Sequence, residues 1–177
     1  MTPEDLLRER GATDLEHPGG TLLAHLRRVR LLLAEWGASE HLQTVGLGHA
    51  FYGTDGFGVA LVDVTTERDL VRQVVGAAAE AAIHLYASCD RRHLYPQAGL
   101  PVVSFRDRWS GVDTEVPSED LRDFWELSFA NELDIVRQSD DLLHHLGPQL
   151  WELWSPARPW VTDEAWACFE GLLHSDP

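Results

Sequence analysis

The sequence contains no lysine: all 14 of its basic residues are arginine. Schiff-base chemistry and the lysine of a P-loop are therefore excluded, and the bias reads as the mark of a GC-rich genome. Cysteine is almost as scarce. Cys89 and Cys168 match no Cys-x-x-Cys metal spacing and build no disulfide framework, so both read as reduced, buried thiols. No apolar run approaches the ~20 residues that cross a bilayer. The first residues, Met1-Thr2-Pro3-Glu4-Asp5, are acidic where a signal peptide is basic and then apolar, and the expected location is cytoplasmic. Positive charge is short overall, since 29 acidic residues against 14 basic ones leave a formal net charge of −15. That field repels nucleic acid and anionic membranes, leaving a small-molecule substrate as the expected partner. Internal repeats, low-complexity tracts and linkers are also lacking, and 177 residues suit one domain, 1–177.

What is present is helical pattern. Hydrophobic residues make up 44% of the chain, ordinary for a globular fold. A helix is expected from about Thr21 to Trp36, with Leu22, His25, Leu26, Val29, Leu32, Leu33 and Trp36 on one apolar face. Gly37 ends it, and Ser39 caps a second helix running to about Tyr52, with Leu42, Val45, Gly46 and His49 in line. Gly46 and Gly48 weaken that helix but let another backbone come close. A third helix, capped by Thr66 with Asp69 in a capping box, runs to about Asp90. A short β hairpin is expected near 102–113. The longest helix then runs from about Glu119 to Leu146, ended by Gly147-Pro148, and a last one is capped by Thr162. The expectation is an all-α, compact bundle of about six helices. The tryptophan-rich tail reads as core or as a homodimer contact.

Nine histidines concentrate the question of function. His25 and His49 each fall on the apolar face of a helix, where an imidazole is tolerated only when hydrogen-bonded or coordinated. Two antiparallel neighbouring helices can bring them together. On the long helix, Asn131 and Asp134 fall at the edge of the apolar stripe, a place that equally suits a solvated face. Tyr52-Gly53-Thr54 follows His49 directly, so Tyr52 and Thr54 are candidates to line a pocket, against the plainer reading of a helix-ending turn. Arg106 and Arg108 share one strand face and suit bidentate binding of a phosphate or carboxylate, or else local ion pairs at a strand edge.

This order of residues, a histidine on an early helix, a second on the next and an aspartate late on a long helix, resembles the HD-domain superfamily. A tighter resemblance is to an uncharacterised bacterial HD-like family, carried by His17 and His25 spaced by Pro-Gly-Gly-Thr, by His49-Ala50-Phe51-Tyr52-Gly53-Thr54, by Asp90-Arg91, by Phe105-Arg106-Asp107-Arg108 and by Ala130-Asn131-Glu132-Leu133-Asp134. The superfamily is all-helical and consists of metal-dependent phosphohydrolases with some di-iron oxygenases. The resemblance therefore implies His25, His49 and Asp134 as metal ligands and catalytic residues, with Tyr52, Thr54, Arg106, Arg108 and Asn131 around the substrate. The sequence departs at one ligand: the pair that names the superfamily, His-Asp, is His49-Ala50 here. What remains is two imidazoles and one carboxylate, a set suited to one divalent ion, Fe, Mn or Zn. His17, Asp55, His84 and Asp90 are substitutes for the missing ligand. Three functions follow: metal-dependent hydrolysis of a small phosphate ester, a mononuclear non-haem iron oxygenase, and a metal-free HD-like protein that binds a ligand or works by acid–base chemistry.

Overall fold

A computed structural model describes residues 1–174. Nine α-helices and two two-stranded sheets make up the described chain, so the fold is mostly α as expected. Among the described residues no helix is long and apolar enough to cross a membrane. The chain divides into two compact units, Met1–Cys89 and Asp90–Pro177.

The first unit opens with α1 (Pro3–Glu9), a helix additional to those expected from periodicity and one whose cap signal is complete. Thr2 accepts from the Asp5 amide while Asp5 returns the bond to the Thr2 amide, a capping box with Pro3 in the first turn. A two-residue turn joins β1 (Glu16–His17) to β2 (Gly20–Thr21), His17 pairing with Gly20. Then come α2 (Leu22–Glu35), capped by Thr21, and α3 (Glu40–Gly48), capped by Ser39. The third expected helix is two, α4 (Arg68–Val75) and α5 (Ala77–Ser88), because Gly76 takes φ +88°, outside any helix. Thr66 caps neither. Asp63 instead accepts from the amides of Thr65 and Thr66, making an Asx turn that leads into α4.

The core of this unit is aliphatic and tight: Leu6, Leu7, Leu26, Val29, Leu33, Phe51, Val71 and Ile83 are fully buried. Both glycines of α3 are there for close approach. A Cβ on Gly46 would meet Leu33 Cδ1 of α2 at 2.5 Å, and one on Gly48 would meet Ile83 Cδ1 of α5 at 2.7 Å. The close approach is made by side chains rather than by the other backbone that was expected, the nearest backbone atom being Arg30 Cα at 3.8 Å from the Gly46 Cβ position. It seats the end of α3 against two neighbours.

The second unit holds α6 (Arg91–Leu94), the hairpin β3 (Val102–Arg106) and β4 (Asp113–Pro117), then α7 (Arg122–Val136), α8 (Asp140–Trp154) and α9 (Asp163–Leu173). The hairpin was expected. The single long helix was not found: the chain breaks after Val136 and restarts at Ser139, whose hydroxyl accepts from the Leu142 amide with Asp140 and Asp141 in the first turn. Gly147-Pro148 does not end a helix, because Pro148 sits inside α8 on its exposed side. Thr162 caps α9 as expected. The tail packs back on α7, with Trp154 buried against Trp125, Phe129 and Tyr95. Cys89 is buried, whereas Cys168 is half-exposed and accepts from Arg137 at 2.6 Å.

Candidate active site

Helix α2 turns Leu22, Leu26, Val29 and Leu33 inward, and His25 shares that face with 1% of its surface exposed. His49 terminates α3 and is 2% exposed. Its Nδ1 lies 2.8 Å from the Gly46 carbonyl, which can only accept, so Nδ1 carries the proton and Nε2 the lone pair in the neutral ring. The antiparallel packing expected of the two helices does bring the imidazoles together. The rings of His25 and His49 meet edge to face, centroids 5.4 Å apart and planes at 83°.

The row continues at both ends. His17, on β1, stacks on His25 with centroids 4.0 Å apart and planes at 25°. Phe57 stands edge-on to His17 at 5.6 Å. At the inner end the buried ring of Tyr86, from α5, packs edge to face with His49 at 5.4 Å. Three imidazoles and a phenol thus run from half-exposed His17 and Phe57 to the interior of the first unit.

A second polar group lies nearby in sequence and in the same unit. Tyr52, directly after this histidine turn, donates to Glu80 at 3.0 Å. Glu80 is 1% exposed and takes two bonds from Arg68, at 2.6 and 3.0 Å, and one from Arg72 at 3.4 Å. Burial pushes the Glu80 carboxyl up, but Arg68, Tyr52 and then Arg72 together outweigh it and hold the group below its ordinary range. Burial and the same carboxylate push the Tyr52 phenol up. Glu80 had no signal in the sequence, being one glutamate among alanines. Thr54 is buried, and its hydroxyl accepts from the Phe57 amide in a turn that Gly53 enters at φ +68°. Tyr52 and Thr54 are therefore held by partners of this unit.

The remaining expected residues belong to the second unit. Asp134 and Asn131 are buried on α7, at 4% and 5% exposure, which decides against the solvated stripe. Gln138 donates to the Asp134 carbonyl at 2.7 Å and to its carboxylate at 3.3 Å, and Asn131 donates to Glu132 at 3.2 Å. Arg106 makes two bonds with Asp113 on the paired strand, and Arg108 lies over the Trp109 ring. Arg106 thus makes the strand-edge ion pair that was the plainer reading.

Among the described residues, no group of three or more His, Cys, Asp or Glu side chains is placed so as to hold a metal ion. The geometry of the histidine row gives the reason within the first unit. Imidazole lone pairs lie in the ring plane, and stacked rings such as His17 and His25 do not aim theirs at one point. Within the first unit, the described side chains as they stand complete no donor set around His25 and His49.

Residues 6–91 match the model of a family described as a domain of unknown function, DUF6817. The match covers nearly all of the first unit, with His17, His25 and His49 inside it and Asp134 outside. Comparison with curated proteins and with solved structures gives no match.

Proposed function

We propose that the chain is a small-molecule enzyme whose chemistry is centred on His25 and His49, acting by proton transfer. One observation carries this reading: the two imidazoles are packed against each other, almost wholly buried, on helix faces otherwise built from aliphatic side chains. Packing alone favours leucine at such positions. Polar rings gathered there carry a desolvation cost that function offsets. With Nδ1 engaged by the Gly46 carbonyl, Nε2 of His49 is the ring's proton acceptor, the form a general base requires. His25, in edge contact with it, is the second proton-transfer group. The reaction class that the HD resemblance supplies is hydrolysis of a small phosphate ester. In that reaction His49 takes a proton from the attacking water and His25 delivers one to the leaving oxygen.

Metal-dependent hydrolysis is the second reading, and one contact favours it. A metal-bound imidazole ordinarily donates its other N–H to a carbonyl or carboxylate, as His49 does to Gly46. His25 and His49 would hold the ion, which would supply an activated water. Among the described residues no group of three such side chains is placed to hold an ion, so the acid–base reading requires fewer additions and stands first.

Elemental analysis of protein purified without chelator separates the two, alongside turnover of p-nitrophenyl phosphate by the wild type, His25→Gln and His49→Gln. Turnover that depends on both histidines at negligible metal content supports acid–base chemistry. Stoichiometric metal, lost in both variants, transfers the function to the second reading. Bound iron with oxygen-dependent turnover would move it to an oxygenase. Wild-type protein that turns over no phosphate ester, with or without added Fe, Mn or Zn, contradicts both hydrolytic readings.

A further inference from the structure

The third imidazole of the row stands apart from the other two, because it comes from a two-stranded hairpin rather than from a helix. His17 pairs with Gly20 across a turn made of Pro18 and Gly19. Gly19 at φ +76° and Gly20 at φ +131° both hold backbone conformations that side-chain-bearing residues avoid. Such a short ladder is marginal alone, so the hairpin depends on what ties it down.

The foot of the hairpin is closed by the Leu22 amide, which donates to the Leu15 carbonyl at 2.8 Å. The tip is held from α2. Arg28 donates from Nη2 to the Pro18 carbonyl at 2.9 Å and from Nη1 to the Gly19 carbonyl at 3.2 Å. Arg28 and His25 lie three residues apart on α2, so the helix that carries the buried imidazole also clasps the hairpin that covers it. The imidazole torsion about Cβ–Cγ is broad and has no sharp intrinsic minimum. The plane of the His25 ring therefore responds to its neighbours, among them His17 stacked on its face and His49 at a near-perpendicular angle to it.

Granting His25 the reacting role proposed above, we propose that the hairpin is a strap over the site, in which His17 is a positioning residue for His25 and Arg28 is its clasp. His17 acts through its flat face, pressed on the buried ring, and Arg28 acts by keeping the tip of the strap against α2. Phe57, at 5.6 Å from the His17 ring and steeply inclined to it, adds a further contact to the strap.

Four variants of the full chain test this: His17→Ala, His17→Phe, Arg28→Gln and Arg28→Lys. Two quantities are read, the ring-proton NMR shifts of His25 and turnover of p-nitrophenyl phosphate. With the rings stacked at 4.0 Å, the His25 ring protons are expected to be displaced upfield in the wild type. His17→Phe keeps the face and is expected to keep both the displacement and the turnover. His17→Ala and Arg28→Gln are expected to lose the displacement and to lower turnover on the order of 100-fold, the scale of a misplaced reacting group. Arg28→Lys keeps the charge without the fork and restores part of each. Unchanged His25 shifts in Arg28→Gln would overturn the clasp. Loss of turnover in His17→Phe with the displacement retained would overturn the positioning role and assign His17 a ring-nitrogen chemistry. The NMR arm reads the stack without any turnover, so failure of the enzymatic reading is distinguished from failure of the strap.

Discussion

His25 and His49 stand edge to face with ring centroids 5.4 Å apart, each at the inner face of its own helix and each less than 3% exposed. Neither ring is incidental to the packing of α2 on α3. Gly46, three residues before His49, is where Leu33 of α2 comes closest, and its carbonyl holds Nδ1 of His49. The same turn of helix thus sets the approach of the two helices and the tautomer of one imidazole.

The first prediction concerns these rings. His49→Gln keeps a hydrogen-bonding side chain of similar length but removes the acid–base group. Turnover is expected to fall by about 10²–10⁴-fold, the range for loss of a general acid or base. The melting temperature should fall by only a few degrees. A collapse of the melting curve with turnover per folded molecule unchanged would make His49 a structural histidine.

Gly48→Ala tests the close approach. The added methyl would lie 2.7 Å from Ile83 Cδ1 and 3.0 Å from the Phe51 ring, both fully buried. Overpacking there costs about 1–3 kcal/mol, against roughly 1 kcal/mol gained from helix propensity. Net destabilisation is expected, read as a lower urea midpoint with an unchanged slope. A stabilised variant would show that α3 and α5 are less closely seated than described.

Glu80 predicts a dependence on acid. Its folded carboxyl titrates below its ordinary value of 4.5, so its contribution is complete above that value and is lost as pH falls through the folded one. Glu80→Gln removes a buried acceptor from Arg68, Arg72 and Tyr52, and should cost about 1–3 kcal/mol at neutral pH. The lower part of that range is expected because the Arg68 side chain is 35% exposed. The cost should shrink as pH is lowered, measured by denaturant titration at several pH values. A cost that grows on acidification contradicts the sign.

Glu126 predicts the opposite slope. Burial raises its carboxyl above 4.5, only partly countered by the hydroxyl and amide of Thr162, with Asp123 and Glu164 adding to the rise. An acid raised in the folded state ionises first in the unfolded chain, so stability is lost as pH climbs from 4.5 through the folded value. Glu126→Gln should therefore improve relative to the wild type as pH rises from about 4 to about 7. A difference that stays constant with pH would remove Glu126 from the account.

The helical class and the two inner histidines were legible because a period of 3.6 places residues on faces without any knowledge of the partner. Ser39 and Thr162 were legible as caps for a similar reason, since a cap satisfies amides of its own first turn. The break between α7 and α8 was present as Ser139-Asp140-Asp141, yet the apolar stripe running across it outweighed that signal. Pro148 misled because it is exposed in α8, where the hydrogen bond it forfeits lies on the solvent side. Glu80 was not legible as a member of its group. His17 was legible only through the family motif and as one of four substitutes for the missing ligand, not as a ring stacked on His25. A two-residue strand has no period to read, and Glu80 gains its meaning from Arg68 and Tyr52, which lie 12 and 28 residues away.

The most direct test of the central claim is single-turnover hydrolysis of a phosphate-ester panel by metal-analysed wild type, His25→Gln and His49→Gln, each confirmed folded by its melting curve. The expected result is hydrolysis by the wild type and a loss of about 10²-fold or more in each variant, without a matching loss of fold. Equal hydrolysis by all three proteins, or none by the wild type in any metal, would contradict a reacting centre at His25 and His49.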